Sequence, residues 1–508
     1  MAVQRMQGLY SSMAVVACAA IAVAMLPLAA AHEHDEDKIP EGETISLEPI
    51  DTTLWIHILL QMLAFGIIFP LGMVLGMIKS RWHVPLQVLG TAIAILAYFL
   101  GHMHKGRQFI HGNVHSKFAH VLNIMLFAQV VMGAYLKLHL ERGFNGRIRP
   151  IFRIAHGING KALPVFSWAQ MIFGGITALG FCQGDHLGQC LAHFIMGGAF
   201  IAYGVLLTIL LLVGQMWLRR TGRSQEFYDS CVIAAWGCVN TFTEHRWGTA
   251  WVKNDWQHTT MGVIWWCAGL AGVWLSRDRD GSPKRNFVPG FVIFMTGWAM
   301  SAHPQELMTS AMVHTTFGYT LMAAGLTRII EVAFVLSDKF GMSADGFETH
   351  SFQYIPAFLL FAAGFLFQGA TEEQMALVAG SSMDPISYIL ILYSLAFLLF
   401  LFVNMLIHVY DRSANADLLA AKARANPLNH RVPPALQARG LNGSASAAAE
   451  RRQVRDAEEF ELDGLVSDEE DEEHAARKKL LQDDGNDAEE RGLASPSTLG
   501  RNSDRVAP

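Results

Sequence analysis

Charge is what this sequence has least of. Asp, Glu, Lys and Arg make up 16% of its 508 residues, against about 25% in an ordinary soluble domain. Cysteine is scarce as well, six in all, which excludes a disulfide-stapled scaffold. No glycine-rich nucleotide signature is present, so any flavin or nicotinamide chemistry would need a partner protein. The formal net charge of -6 gives no support to nucleic-acid binding. What remains is apolar: 52% of the residues are hydrophobic and the mean hydropathy is +0.28. That composition makes the lipid bilayer the first expected partner.

Residues 1–31 read as a signal peptide, with Arg5 near the start, an apolar run from Met13 to Leu28, and Ala29, Ala30 and Ala31 before the polar His32 to Asp35. Cleavage after Ala31 is expected, an uncleaved anchor helix being the alternative. Residues 32–53 form a short luminal or extracellular segment. Apolar stretches follow at 55–78, 83–101, 116–138, 163–181, 191–217, 228–243, 259–275, 287–302, 311–336, 354–370 and 385–408, most of them near the ~20 residues that cross the hydrocarbon core. The fold expected is an all-α, polytopic membrane helix bundle of about eleven spans.

An odd number of crossings puts the two ends on opposite sides. Lys79 and Arg81, the bases from Arg142 to Lys161, Arg219, Arg220 and Arg223, those from Arg277 to Arg285, and Lys339 fall on alternate connectors, which are therefore cytosolic. The mature N-terminus is then luminal or extracellular, in the secretory pathway or the plasma or vacuolar membrane. After residue 411 the hydrophobic period ends. The acidic run from Ser467 to Glu473 belongs to a disordered cytosolic tail, residues 411–508, suited to binding other proteins.

The membrane region divides into an N-terminal part, 54–217, and a C-terminal part, 218–410. In the first, His57, His83, His115 and His156 stand near the beginnings of the first four spans. Because consecutive spans run in opposite directions, His57 and His115 share one depth and His83 and His156 the other. A low-spin haem b needs two neutral imidazoles at matching depth, one on each face of its iron. Two such centres make an electron path through about 30 Å of hydrocarbon. For any one histidine the alternative is an interfacial side chain bonded to a carbonyl or a headgroup. His120 competes with His115, about 140° away on the same helix; the spacing of His115 to Gln129 favours His115.

Those residues carry a resemblance. His57-Ile-Leu-Leu-Gln-Met-Leu-Ala-Phe-Gly-Ile-Ile-Phe-Pro-Leu-Gly72, His83-Val-Pro-Leu-Gln87, His115 with Gln129 and Gly133, and His156-Gly-Ile-Asn-Gly160 resemble the cytochrome b561 and ferric-reductase-like core over about 54–182. The resemblance implies two haem b groups, with the four histidines as axial ligands. Pro85, in the first turn of the second span, departs from the usual pattern of that core.

The C-terminal part has another vocabulary. His245, His258, His303 and His314 collect at the luminal ends of their spans, with Glu244, Asp255 and Glu306 beside them. Imidazole and carboxylate donors suit a divalent metal ion; a belt of Trp and His anchoring the bundle at the interface is the alternative. His102, His104, His111, His32 and His34 add further imidazoles on that side. Cys182 and Cys190 flank a short luminal loop and are a disulfide candidate, while Arg328 and Glu331, three apart, are expected to pair. This part and the overall arrangement, about 50–410, resemble the fungal Ytp-type transmembrane family, which implies no particular chemistry.

Three functions compete. One is a transmembrane electron carrier acting as a ferric or cupric reductase, loaded by cytosolic ascorbate or a reductase partner. The second is a metal-handling or transport protein built on the His/Glu rim. The third is a structural or trafficking protein without catalytic activity.

Overall fold

Each of the eleven apolar stretches folds as a helix. The computed structural model describes residues 39–138, 148–245, 248–302, 304–336 and 349–414; the signal peptide and the tail past Ala414 lie outside them. The described residues hold thirteen helices: α1 (Thr52–Met77), α2 (His83–Met103), α3 (Val114–Leu138), α4 (Arg149–Leu179), α5 (Leu187–Leu212), the short α6 (Gln215–Thr221), α7 (Gln225–Thr243), α8 (Lys253–Leu275), α9 (Val288–Ser301), α10 (Met308–Ile330), α11 (Tyr354–Gln368), the short α12 (Glu372–Ala379) and α13 (Pro385–Ala414). No β-strand occurs among them, only two isolated bridges.

Eight of the helices, α1 to α5, α10, α11 and α13, are long and apolar enough to cross a membrane. The other three stretches fall short for identifiable reasons. Helix α9 has 14 residues, about 21 Å of rise. Helix α7 carries Gln225, Glu226, Asp229, Ser230 and Asn240, all buried against protein, and α8 opens with Lys253, Asp255 and His258. Inward-facing polar groups lower a helix's mean hydropathy without exposing charge to lipid.

Helix α4 corrects one boundary. It begins at Arg149, well ahead of the apolar stretch expected from 163, with Pro150 in its first turn and Pro164 in its interior. Arg153, His156, Asn159 and Lys161 dilute the hydropathy of its first turns while the backbone helix runs on. His156 therefore sits inside a helix, two turns from its start.

Two antiparallel hairpins, α1–α2 and α3–α4, make the N-terminal group. They meet through a layer of Ala64, Phe65, Phe69, Ala94, Leu122, Leu126 and Leu163. At one end, Arg107 from the α2–α3 connector donates to the carbonyls of Glu48 and Ala178 at 3.0 and 2.8 Å, tying three segments together. Asp51 caps α1 by accepting from Leu54 N–H at 2.9 Å and also accepts from Lys105 N–H at 3.1 Å.

The C-terminal group packs α7 on α8, α9 on α10, and α11 between α5 and α10. Gly290 and Gly297 of α9 face Gly325 and Gly318 of α10 so closely that a Cβ on Gly297 would stand 2.6 Å from the Gly318 carbonyl oxygen. Small residues at such a crossing let two backbones touch, which is how helices associate where lipid is as apolar as the side chains. Phe317, Leu321, Leu360, Leu366 and Met375 fill the core beside it, each almost fully buried.

Candidate functional site

The four histidines of the N-terminal group meet in two pairs. His57 of α1 and His115 of α3 have ring centres 6.4 Å apart with planes at 86°; His83 of α2 and His156 of α4 stand 6.3 Å apart at 88°. Two imidazoles that bind one metal from opposite sides, with bonds of about 2.0 Å, place their ring centres about 6.3 Å apart. Each pair takes one ring from each hairpin. His120 is exposed on α3 and reaches neither pair.

The rings are held from behind. His57 Nδ1 lies 2.7 Å from the Ala97 carbonyl and His83 Nδ1 2.7 Å from that of Gly72. With Nδ1–H donating there, Nε2 keeps its lone pair, the state a metal ligand needs. His115 Nδ1 lies 3.3 Å from the Gln170 carbonyl, and Gln170 Nε2 donates to the His115 carbonyl at 3.0 Å. In the same way Gln129 Nε2 donates to the His156 carbonyl at 3.1 Å, steadied by Asn159 at 2.8 Å, while His156 Nδ1 is buried without a hydrogen bond.

A repeat underlies this geometry. His83 precedes Ala97, His115 precedes Gln129 and His156 precedes Gln170 by fourteen residues each, about 21 Å of helix. Four residues past each partner stands a glycine, Gly101, Gly133 and Gly174, against which a histidine ring of the neighbouring helix packs. The first helix has fifteen residues from His57 to Gly72. Its extra residue is absorbed by a π-helical turn over Met62–Ile68, the usual form of a one-residue insertion in a helix. Gly76, four beyond Gly72, then meets the His83 ring as the others meet theirs. The two pairs thus lie about 20 Å apart along the bundle.

Each position is also sterically reserved. A Cβ on Gly101 would lie 2.5 Å from the His57 ring and one on Gly76 2.8 Å from that of His83; for Gly133 and His156 the distance is 3.2 Å, and for Gly174 and His115 3.3 Å.

The described residues of the expected metal rim make their own contacts. His245 pairs with Asp255 at 2.9 Å and stacks on Trp251 with ring centres 3.9 Å apart. His258 pairs with Glu244 at 3.2 Å. Glu306 is exposed, and His303 lies outside the described residues. His314 is buried and faces His193 of α5, ring centres 5.7 Å apart. His193 had no periodic signal to mark it, since the contact joins helices far apart in the chain. Among the described residues, the one group of three or more His, Cys, Asp or Glu donors that converges is Cys182, Cys190 and Glu373. The two cysteines are joined in a disulfide, Cα atoms 5.4 Å apart, and the Cys182 N–H donates to Glu373 at 2.9 Å.

Eight helices long and apolar enough to cross a membrane define an integral membrane protein, and its N-terminal group brings four imidazoles together in two pairs across two hairpins. Residues 166–411 match the family described as "Protein YTP1-like, C-terminal", and residues 37–139 match a domain of unknown function, DUF2427. Protein YTP1 of Saccharomyces cerevisiae is 44% identical over 244 residues, covering 48% of this chain and 51% of that protein. The chain therefore spans about half the length of that relative. An uncharacterized membrane protein of Schizosaccharomyces pombe is 21% identical over 398 residues, 54% of this chain and 78% of the relative. A second uncharacterized membrane protein of Saccharomyces cerevisiae is 25% identical over 252 residues, 39% of each chain. No solved structure matches.

Proposed function

We propose that the N-terminal group is a di-haem module carrying electrons across the membrane, with ferric or cupric ions as the acceptors. The reading rests on one observation: two histidine pairs at ring separations of 6.4 and 6.3 Å, stacked along one four-helix group. Haem b, when bound, supplies one-electron redox chemistry at its iron. His57 and His115 would hold one group, His83 and His156 the other. The carbonyls of Ala97 and Gly72 fix the ligand tautomers, and the glycines leave the rings room to stand upright between the hairpins.

The finer topology belongs to the same proposal. Eleven crossings, with the bases on cytosolic connectors, put the His57/His115 pair on the luminal or extracellular side and the His83/His156 pair next to a cytosolic reductant such as ascorbate or a reductase partner. His245 and His258 each meet a different carboxylate, Asp255 and Glu244, in two separate pairs, whereas the N-terminal histidines pair ring to ring, and electron transfer is therefore preferred to metal transport as the principal activity.

A reduced-minus-oxidised absorption spectrum of the purified full-length protein tests this. A reducible haem b signal is expected, with His57→Ala and His156→Ala each removing about half of it. Absence of the signal after expression with ample haem refutes the proposal, as does unchanged haem in both variants.

A further inference from the structure

A buried ionic cluster joins five elements of the C-terminal group, remote in sequence from the histidine pairs. Helix α7 brings Glu226 and Asp229, the segment before α9 brings Arg285, and α10 ends with Arg328, followed by Glu331 in a π-helical turn. Arg328 donates to Glu331 at 2.7 Å and to Glu226 at 2.9 Å; Arg285 donates to the same Glu226 oxygen at 2.9 Å. Gln353, before α11, donates to Glu331 at 3.4 Å. From α5 the Tyr203 hydroxyl meets the Asp229 carboxyl.

Three carboxyl groups thus share two guanidinium groups. Arg328 is engaged by Glu226 and Glu331, and Arg285 by Glu226. Asp229 is 4% exposed, and its Oδ2 has no hydrogen-bond partner; Ser230 Oγ beside it on α7 has none either. An ionised carboxylate buried without a partnered charge costs several kcal/mol, roughly, and such groups take up a compensating ligand instead. A small open-mouthed cavity of about 20 Å³, room for about one water, is lined by Gln215, Gln225, Arg328, Glu331 and Gln353 and so reaches the Arg328–Glu331 side of the cluster.

We propose that this cluster is a proton-loading site, in which the buried and unpartnered Asp229 Oδ2 takes up a proton from solvent. The proton bonds to Oδ2, the cluster loses one negative charge, and no other bond is made or broken. A carboxylate in excess at a place where water can enter is the elementary device of proton-linked membrane proteins. The proposal stands whether or not the histidine pairs hold haem.

Infrared difference spectroscopy on the full-length protein in lipid nanodiscs tests it. At neutral pH the wild type should show a protonated-carboxyl C=O band that shifts in D2O, and Asp229→Asn should remove it. Arg285→Gln, which takes a positive charge from the cluster, should raise the pH at which the band disappears by about one unit, because the remaining carboxylates then hold the proton more tightly. Arg285 bonds Glu226, so this variant shifts the charge balance and leaves the proposed acceptor in place, which decides the matter even if Asp229→Asn does not fold. A wild type without the band, a band that survives in a folded Asp229→Asn protein, or an Arg285→Gln midpoint that is unmoved or lowered overturns the proposal. A band abolished by added Na+ at constant pH would assign the site to a metal cation and overturn it equally.

Discussion

Replacing Gly101 with alanine isolates the steric part of the paired-histidine geometry. The new Cβ would lie 2.5 Å from the His57 ring, where ordinary contact begins at 3.4 Å, so the ring must retreat by about 0.9 Å. Metal–ligand distances tolerate roughly 0.2 Å, and overpacking of this kind costs about 1–3 kcal/mol. That weakens binding at the affected pair about 5- to 150-fold. Gly133→Ala and Gly174→Ala ask their rings to give only about 0.2 and 0.1 Å, from 3.2 and 3.3 Å, within that tolerance. Gly157, on α4 with nothing within 4 Å, is the control. On the di-haem proposal the assay is haem per polypeptide after purification, at a haem concentration near the wild-type dissociation constant. Gly101→Ala should lose about half the haem, and Gly133→Ala, Gly174→Ala and Gly157→Ala should keep nearly all of it. Full retention in Gly101→Ala, or equal loss across the four variants, would refute the link between glycine cradle and ligand position.

Two further outcomes follow from the packing and the caps. Trp265 donates its indole N–H to Thr296 Oγ1 at 2.8 Å inside the C-terminal core; Thr296→Val leaves that donor unpaired and should cost about 1–3 kcal/mol in denaturant unfolding, an unchanged midpoint being the contrary result. Asp384, ahead of α13, accepts from Ser387 Oγ and from the N–H groups of Ser387 and Ile386, which hold its carboxyl below the ordinary range. A depressed carboxyl stabilises the helix start above about pH 4 and loses that effect as pH falls through its lowered value. Hydrogen exchange at Ser387, corrected for intrinsic rates, should therefore stay protected at neutral pH and quicken only under acid.

The helices were legible because a lipid-facing segment must be apolar for about 20 residues, a signal read directly from runs such as 55–78 and 385–408. The start of α4 was hidden because Arg153, Asn159 and Lys161 break the apolar run without breaking the helix. Alternation of span direction sufficed to group His57 with His115 and His83 with His156, since depth depends only on the order of crossings. The residues behind the rings were only partly visible: Gln129 stood out by its spacing, but Gln170, Ala97 and the π turn in α1 need the helix register to be known. Arg328 and Glu331 pair as a three-residue spacing suggests, yet their tie to Glu226 crosses 102 residues of chain and has no local signature.

Each hairpin supplies one ring to each pair and neither holds a pair alone. Any ligand shared by the rings is therefore also a clasp between α1–α2 and α3–α4, and its binding free energy adds to the cohesion of the N-terminal group by mass action. On the di-haem proposal, the fold of this half and its haem supply are coupled quantities: each tenfold rise in free ligand above the dissociation constant adds about 1.4 kcal/mol per pair against separation of the hairpins. A cell short of that ligand would register the shortage as a less durable protein, cleared sooner by quality control, before it registered a slower one.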